Sequence, residues 1–264
     1  MAVHCLYPDF FRFLDTLGEE GEQQPSRWDR FERLYFGKHA EILSNLWFEC
    51  QTYSRDNIRE RVSAVKREDY GELASALLRY DLPGATEAVL ERCAGLAGPV
   101  PADVYLLVGF FSPDAFVADF GGRPSFCVGL ERFRTFRHYP VLLSHEYCHL
   151  LAARRQGRPA EDVVQRAVGE GLAVYFSRLA FPDEREHACL FMEERRFRDL
   201  LSRYPGAREA AEELGKRRES GGEPRTGYFL GYMLVREYVE KTGIRSIEEL
   251  IERRGDISVD FGLR

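Results

Sequence analysis

The stretch Leu143-Ser-His-Glu-Tyr-Cys-His-Leu-Leu151 places two of the chain's six histidines, His145 and His149, four residues apart. On an α-helix four residues complete slightly more than one turn. The two imidazoles therefore lie about 40° apart on one face, where both can bind one metal ion. Glu146 projects about 100° away from His145. It avoids the metal and still reaches a water molecule bound there, which is the position that a general base requires. The pattern predicts a helix that carries a metal site.

A further carboxylate, Glu170, interrupts the apolar face of the next predicted helix. A carboxylate aimed at the core needs a cation or a metal, because burying an unpaired charge is costly. Gly169 and Gly171 flank it, although a glycine inside a helix costs about 1 kcal/mol relative to alanine. We interpret these glycines as a place where this helix closely approaches the helix of residues 143–151. Glu170 then becomes the third ligand.

Other interpretations use the same residues. The two histidines can be ordinary helix residues, and Glu170 can be a core glutamate paired with one of the many arginines. Glu146 and His149 also form a Glu-x-x-His pair of the di-iron type, but that fold needs two such pairs together with further helical glutamates around one site. A cysteine nucleophile at Cys148 projects away from both histidines, so Cys148 is better explained as a packing residue.

Together these residues carry a family resemblance. His145, Glu146, His149 and Glu170, with twenty residues between the last two, resemble the gluzincin metallopeptidases, the group that contains thermolysin and the aminopeptidase N family. The HExxH motif, followed by Gly-Glu-Gly-Leu-Ala at residues 169–173, more closely resembles a family of bacterial proteins described as predicted zinc-dependent proteases. The resemblance implies a zincin-like catalytic core. Its Zn²⁺ would be held by His145, His149 and Glu170, with Glu146 activating a water as general base.

The resemblance also bears on the surroundings of the centre. It implies that the strand Ser125–Glu131 is an edge strand offered to an extended peptide. Tyr228 and Tyr232, in the stretch Gly227-Tyr-Phe-Leu-Gly-Tyr232, are candidate catalytic donors to the oxyanion; either phenol suits this role, and both also suit a core. The aspartate that thermolysin-like enzymes place four residues after the glutamate ligand is Val174 here. The partner that orients the histidines is therefore not identified from the sequence.

The rest of the chain predicts an α+β fold, mostly helical with a small mixed β-sheet. The sequence predicts a helix capped by Ser26, then four further helices: His39–Trp47, Arg55–Val65, Tyr70–Arg79 and Ala85–Leu96. Three strands follow, predicted at Val104–Phe111, Phe116–Phe120 and Ser125–Leu130. In the later part of the chain, a helix is predicted to begin at Pro140 and to end at Gly157 and Pro159, and the next helix is predicted to end at Pro182. Glycines and prolines near residue 98 predict an N-terminal helical subdomain at 1–98 and a metallopeptidase domain at 99–264.

Composition narrows the functional classes. The 264 residues carry a formal net charge of −6 with no basic stripe, which argues against a nucleic-acid partner. The six cysteines form no CxxC pair and indicate reduced thiols. Neither a secretory signal nor an apolar run of membrane-spanning length is recognisable, so we expect a cytoplasmic protein without a membrane partner.

The sequence therefore predicts a hydrolase: a zinc metallopeptidase acting on a peptide or protein substrate. The alternative is a non-proteolytic metal- or peptide-binding regulatory protein that retains the zincin fold. An intact Glu146 favours the enzyme, because a structural metal site gains nothing from a general base. A third interpretation keeps zinc-dependent hydrolysis but acts on a non-peptide amide.

Overall fold

The structure, a computed structural model, describes residues 1–18, 25–110, 114–120, 123–156, 162–220 and 223–263. The chain forms two compact units. Unit 1 comprises Met1–Glu87 and Pro101–Arg137, and unit 2 comprises Ala88–Val100 and His138–Arg264. This division differs from the predicted boundary at residue 98, because the strands of residues 101–137 group with the N-terminal helices.

A four-stranded mixed sheet lies in unit 1. Its strands are β1 (Val3–Cys5), β2 (Asp103–Leu107), β3 (Ala115–Phe120) and β4 (Arg123–Gly129), in the order β1-β2-β4-β3. β1 pairs in parallel with β2, and β2 pairs in parallel with β4, whereas β3 is antiparallel to β4. Together with the many helices of the chain, this sheet confirms the predicted α+β class.

The sheet corrects two expectations. β1 was not predicted, because a strand of three residues is too short to show an alternating pattern. The prediction that Ser125–Glu131 forms an edge strand is wrong, because β4 is hydrogen-bonded to β2 on one side and to β3 on the other. β1 and β3 are the outer strands. β2 also ends earlier than predicted, before Phe110 with its φ of +44°, and Phe111 lies outside the described residues.

Short helices build the rest of unit 1. They are α1 (Tyr7–Asp15), α2 (Arg27–Phe31), α3 (Ala40–Ser44), α4 (Arg55–Ala64), α5 (Gly71–Arg79) and α6 (Leu82–Ala97), the last of which continues into unit 2. The predicted cap at Ser26 is confirmed, since its side chain accepts a hydrogen bond from the Asp29 amide at 3.1 Å. The predicted helix His39–Trp47 is interrupted: only Ala40–Ser44 is α-helical, and Asn45–Cys50 forms a π-helical turn.

Aromatic side chains dominate the interior of unit 1. We call five fully or almost fully buried rings the aromatic core: Phe10, Phe31, Tyr35, Trp47 and Phe110. Neighbouring ring centroids lie 5.4 Å apart for Phe10 and Tyr35, and 6.0 Å apart for Trp47 and Phe110. These rings therefore form one buried aromatic cluster in unit 1.

Unit 2 is helical in its described residues. Its helices after α6 are α7 (Tyr139–Gln156), α8 (Val163–Ala180), α9 (Glu186–Cys189), α10 (Glu194–Arg203), α11 (Ala207–Ser220), α12 (Pro224–Thr242), α13 (Ile247–Glu252) and α14 (Arg254–Asp260). Pro140 stands in the first turn of α7 and Pro182 follows the end of α8, as predicted. Gly157 and Pro159 lie outside the described residues. Within the described ranges, no helix has both the length and the apolar character needed to cross a membrane.

The glycines of α8 have a different role from the one predicted. A Cβ on Gly171 would lie 2.2 Å from the backbone of Gly231 in α12, and a Cβ on Gly231 would lie 1.8 Å from the carbonyl oxygen of Ala167 in α8. A Cβ on Gly169 would lie 2.8 Å from the guanidinium of Arg254. The prediction that these glycines meet the HExxH helix is therefore wrong. They permit the close approach of α12 and of one arginine.

Candidate metal centre

Three side chains from α7 and α8 converge at one point of unit 2. His145 Nε2 lies 3.0 Å from Glu170 Oε2 and 3.1 Å from His149 Nε2, and His149 Nε2 lies 3.3 Å from the same carboxylate oxygen. The two histidines share one face because they are one helical turn apart on α7. Glu170 reaches them from the neighbouring helix α8. The structure thus brings together the three residues predicted as ligands.

The donor atoms fit zinc in both chemistry and spacing. Two imidazole nitrogens and one carboxylate oxygen form a common catalytic zinc set. Zinc bonds of about 2.0–2.1 Å in a tetrahedron separate neighbouring ligand atoms by about 3.3 Å. The separations of 3.0, 3.1 and 3.3 Å lie close to that value. Among the described residues, this trio is the His/Cys/Asp/Glu cluster whose atoms are close enough to hold a metal ion.

The ionisation of His149 and Glu170 favours the binding of a cation by the three candidate ligands. Burial alone would raise the pKa of Glu170, but hydrogen bonds from His145 and His149 outweigh burial and hold that pKa well below its ordinary value. Burial lowers the pKa of His149, while its hydrogen bond to Glu170 and the charge of that carboxylate raise it overall. The carboxylate of Glu170 therefore remains ionised beside the two imidazole rings, where its negative charge can balance the charge of a metal cation.

Glu146 follows the first ligand on α7 and is partly exposed to solvent. Burial in the surrounding protein raises its pKa, His149 and His145 oppose this effect, and the nearby charge of Glu170 reinforces it. A carboxylate whose pKa is raised is a stronger base than an ordinary carboxylate and accepts a proton more readily. These properties match those of a general base.

Two aromatic rings surround His145, whose side chain is only 3% exposed. Tyr228 stacks on it with ring centroids 5.6 Å apart and planes inclined by 20°. Phe191 meets it edge to face, with centroids 5.3 Å apart and planes inclined by 75°. The buried Nδ1 atom of His145 has no hydrogen-bond partner among the described residues.

The two predicted tyrosines occupy different surroundings. Burial raises the pKa of Tyr228 well above its usual value, and the nearby negative charge of Glu170 raises it further. The hydroxyl of Tyr232 instead donates to Glu186 Oε1 at 2.6 Å, and Arg236 lies 3.4 Å from the same oxygen. The structure brings Tyr228 to the cluster and places Tyr232 in a separate polar group.

Sequence reasoning missed two residues near the centre. Phe191 lies between α9 and α10, outside any recognisable motif. Arg254 begins α14, packs against Gly169 and donates its Nε–H to the Gln165 carbonyl oxygen at 2.9 Å. Burial lowers the pKa of Arg254, and Glu170 acts in the opposite direction. A glycine inside a helix is less stable than an alanine, so Gly169 was the one signal in the sequence that a large group packs at this position.

Comparison with known proteins adds one match. A family model described as Predicted Zn-dependent protease (DUF2268) matches residues 120–257. The matched segment covers more than half of the 264 residues and includes His145, Glu146, His149, Glu170 and Tyr228. No curated protein and no solved structure matches the chain.

Proposed function

Since the chain belongs to the family of predicted Zn-dependent proteases, we propose that it is a zinc metallopeptidase of gluzincin type. His145, His149 and Glu170 hold the Zn²⁺, and the substrate is a peptide or protein. The single observation that carries this proposal is the convergence of two imidazole nitrogens and one carboxylate oxygen within 4.8 Å of one another. Their spacing matches the edges of a zinc tetrahedron, and the family description names the same metal.

Bound zinc supplies Lewis-acid chemistry, which lowers the pKa of water and polarises a carbonyl group. Glu146 moves the proton. It accepts a proton from the attacking water and passes that proton to the leaving amine nitrogen, so one carboxyl group serves both halves of the reaction. The raised pKa of Glu146 supports this role, because a strongly acidic carboxyl group accepts a proton poorly.

Tyr228 stabilises the charge that develops on the substrate's carbonyl oxygen. Its raised pKa keeps the phenol protonated near neutral pH, so it stays a hydrogen-bond donor. The negative charge of Glu170 acts on this phenol, which lies beside the three proposed ligands. The ring is held in place by stacking on His145.

The test combines metal analysis with cleavage of an unbiased peptide mixture, read by mass spectrometry. We expect wild-type protein to hold one zinc per chain and to cleave peptides. Glu146→Gln keeps the metal and loses about 10²–10⁴-fold in turnover, since general acid–base catalysis contributes that much. His149→Ala loses both metal and activity. Glu240→Gln, the same substitution at an exposed position of α12, is the matched control and leaves both unchanged.

The outcomes separate the parts of the proposal. Undiminished hydrolysis by zinc-loaded Glu146→Gln would overturn the role of Glu146. A wild-type protein that takes up no zinc would overturn the metal centre itself. A protein that holds zinc through His145, His149 and Glu170 but cleaves nothing in the mixture would contradict peptidase activity and favour a binding role.

A further inference from the structure

The orientation of a zinc-bound histidine normally depends on its second ring nitrogen. A neutral imidazole that binds metal through Nε2 carries its proton on Nδ1. That N–H usually donates to a carboxylate, a carbonyl or water, which fixes the ring plane. In the described part of the chain, His145 Nδ1 has no such partner although it is buried. Within the described residues, contacts with the faces and edge of the ring are the ones that can orient His145.

Aromatic packing supplies those contacts. Tyr228 lies nearly parallel to the imidazole at 5.6 Å, and Phe191 stands nearly perpendicular to it at 5.3 Å. A parallel ring restricts tilting of the imidazole, and a perpendicular ring restricts its rotation within the plane. The two contacts together restrain the plane of the imidazole, and in that plane Nε2 faces His149 and Glu170.

The backbone of Phe191 has an unusual conformation for this residue type. Its φ of +50° lies in the left-handed region, which favours glycine over phenylalanine. The conformation is secured on both sides: the Phe191 amide donates to the Ala188 carbonyl oxygen at 3.0 Å, and its own carbonyl oxygen accepts from the guanidinium of Arg225. That guanidinium also lies 5.8 Å from the Phe191 ring. The chain retains a ring where its backbone favours glycine, which points to a role for the ring.

We propose that Phe191 is a positioning residue for the metal centre. Its ring, held by Arg225 and acting with Tyr228, fixes the plane of His145 in place of the missing hydrogen bond. Phe191 itself contacts neither the metal nor the reacting atoms. This inference rests on the proposed function, because it assumes that His145 binds zinc.

The experiment measures zinc affinity by competition with a chromophoric chelator, together with the visible absorption spectrum of the Co²⁺-substituted protein. Phe191→Gly suits the backbone and removes the ring. We expect its zinc Kd to rise about 10-fold or more, the usual loss when a group that orients a metal ligand is removed, and its Co²⁺ bands to shift. Phe191→Tyr keeps the ring and restores both readouts. Phe191→Leu keeps apolar volume without a ring and behaves as Phe191→Gly does.

A matched control separates positioning from stability. Phe197→Ala removes a ring from the same unit that packs on Phe229 with centroids 6.0 Å apart. It lowers the thermal midpoint and leaves zinc affinity and the Co²⁺ spectrum unchanged. Wild-type affinity and spectrum in Phe191→Gly or in Phe191→Leu would overturn the role of Phe191. A wild-type protein without zinc affinity would instead overturn the proposed function, so the two failures are distinguishable.

Discussion

Tyr35 and Trp47 of the aromatic core in unit 1 and His145 of the candidate metal centre in unit 2 differ in how their buried polar atoms are paired. In the core, the Tyr35 hydroxyl donates to the Val108 carbonyl oxygen at 2.8 Å and accepts from the Val108 amide at 3.1 Å. Trp47 donates its indole N–H to the Gly109 carbonyl oxygen at 2.5 Å. In the metal centre, His145 Nδ1 is buried without a partner among the described residues, and burial raises the pKa of Glu146.

Such a difference is expected between residues that stabilise a fold and residues of a candidate binding site. A buried polar atom that is satisfied within the chain adds to the stability of the fold and offers nothing to a ligand. A cluster of incompletely satisfied ionisable groups weakens the fold, and natural proteins tolerate such clusters mainly at functional sites. Substitutions in the core should therefore change stability, and substitutions at the centre should change metal binding or catalysis.

The largest expected effect comes from the core. Trp47→Ala removes a fully buried indole and leaves the Gly109 carbonyl oxygen without its donor. We expect the free energy of unfolding to fall by about 3–5 kcal/mol, measured by urea denaturation followed by circular dichroism. The folded fraction should still bind zinc in a 1:1 ratio.

The chain's other tryptophan is the matched control. Trp28 is partly exposed, and its ring lies 5.1 Å from the guanidinium carbon of Arg59. Trp28→Ala should cost about 1 kcal/mol, the scale of an exposed cation–π contact. Loss of zinc from folded Trp47→Ala protein would break the contrast between the core and the centre.

The next effect concerns two tyrosines of α12. Tyr228→Phe removes the hydroxyl beside Glu170, and we expect kcat to fall about 10²–10³-fold, the loss typical of one oxyanion donor. Tyr232→Phe removes the bond to Glu186 and should lower stability while leaving kcat near the wild-type value. Steady-state kinetics on one cleaved peptide compares the two variants. Equal losses of kcat would show that the separate surroundings of the two hydroxyls do not determine their roles.

The sequence predicted the parts of the site that depend on local geometry. His145 and His149 share a face because of helical periodicity alone, and Glu170 was recognisable because a charge interrupted an apolar face. Phe191 was not predictable, since its contact with His145 depends on how the segment between α9 and α10 packs in three dimensions. The two tyrosines looked equivalent in sequence, and only their contacts in the structure, Tyr228 with His145 and Tyr232 with Glu186, separated them.

Long-range pairing explains the errors in the fold. β1 has three residues and is defined by its pairing with β2, which lies about a hundred residues later in the chain. The same pairing shows why β4 was mistaken for an edge strand, since the number of neighbours of a strand is a property of the whole sheet. Gly171 was correctly recognised as a contact point between helices, but the identity of the partner helix was not encoded locally.

The smallest expected effect tests that helix contact. A Cβ at Gly231 would lie 1.8 Å from the Ala167 carbonyl oxygen, and since backbone atoms are in the way, α8 and α12 must move apart. We expect Gly231→Ala to lower the free energy of unfolding by about 1–3 kcal/mol.

Gly227→Ala on the same helix is the matched control, because a Cβ there meets no described atom within 4 Å. It should raise stability by about 0.5–1 kcal/mol, because alanine loses less backbone entropy on folding than glycine does. Thermal unfolding of both variants gives the difference. If the two variants were equally stable, α12 would not lie against α8 at Gly231. The position of Tyr228 beside Glu170, which depends on that contact, would then be wrong as well.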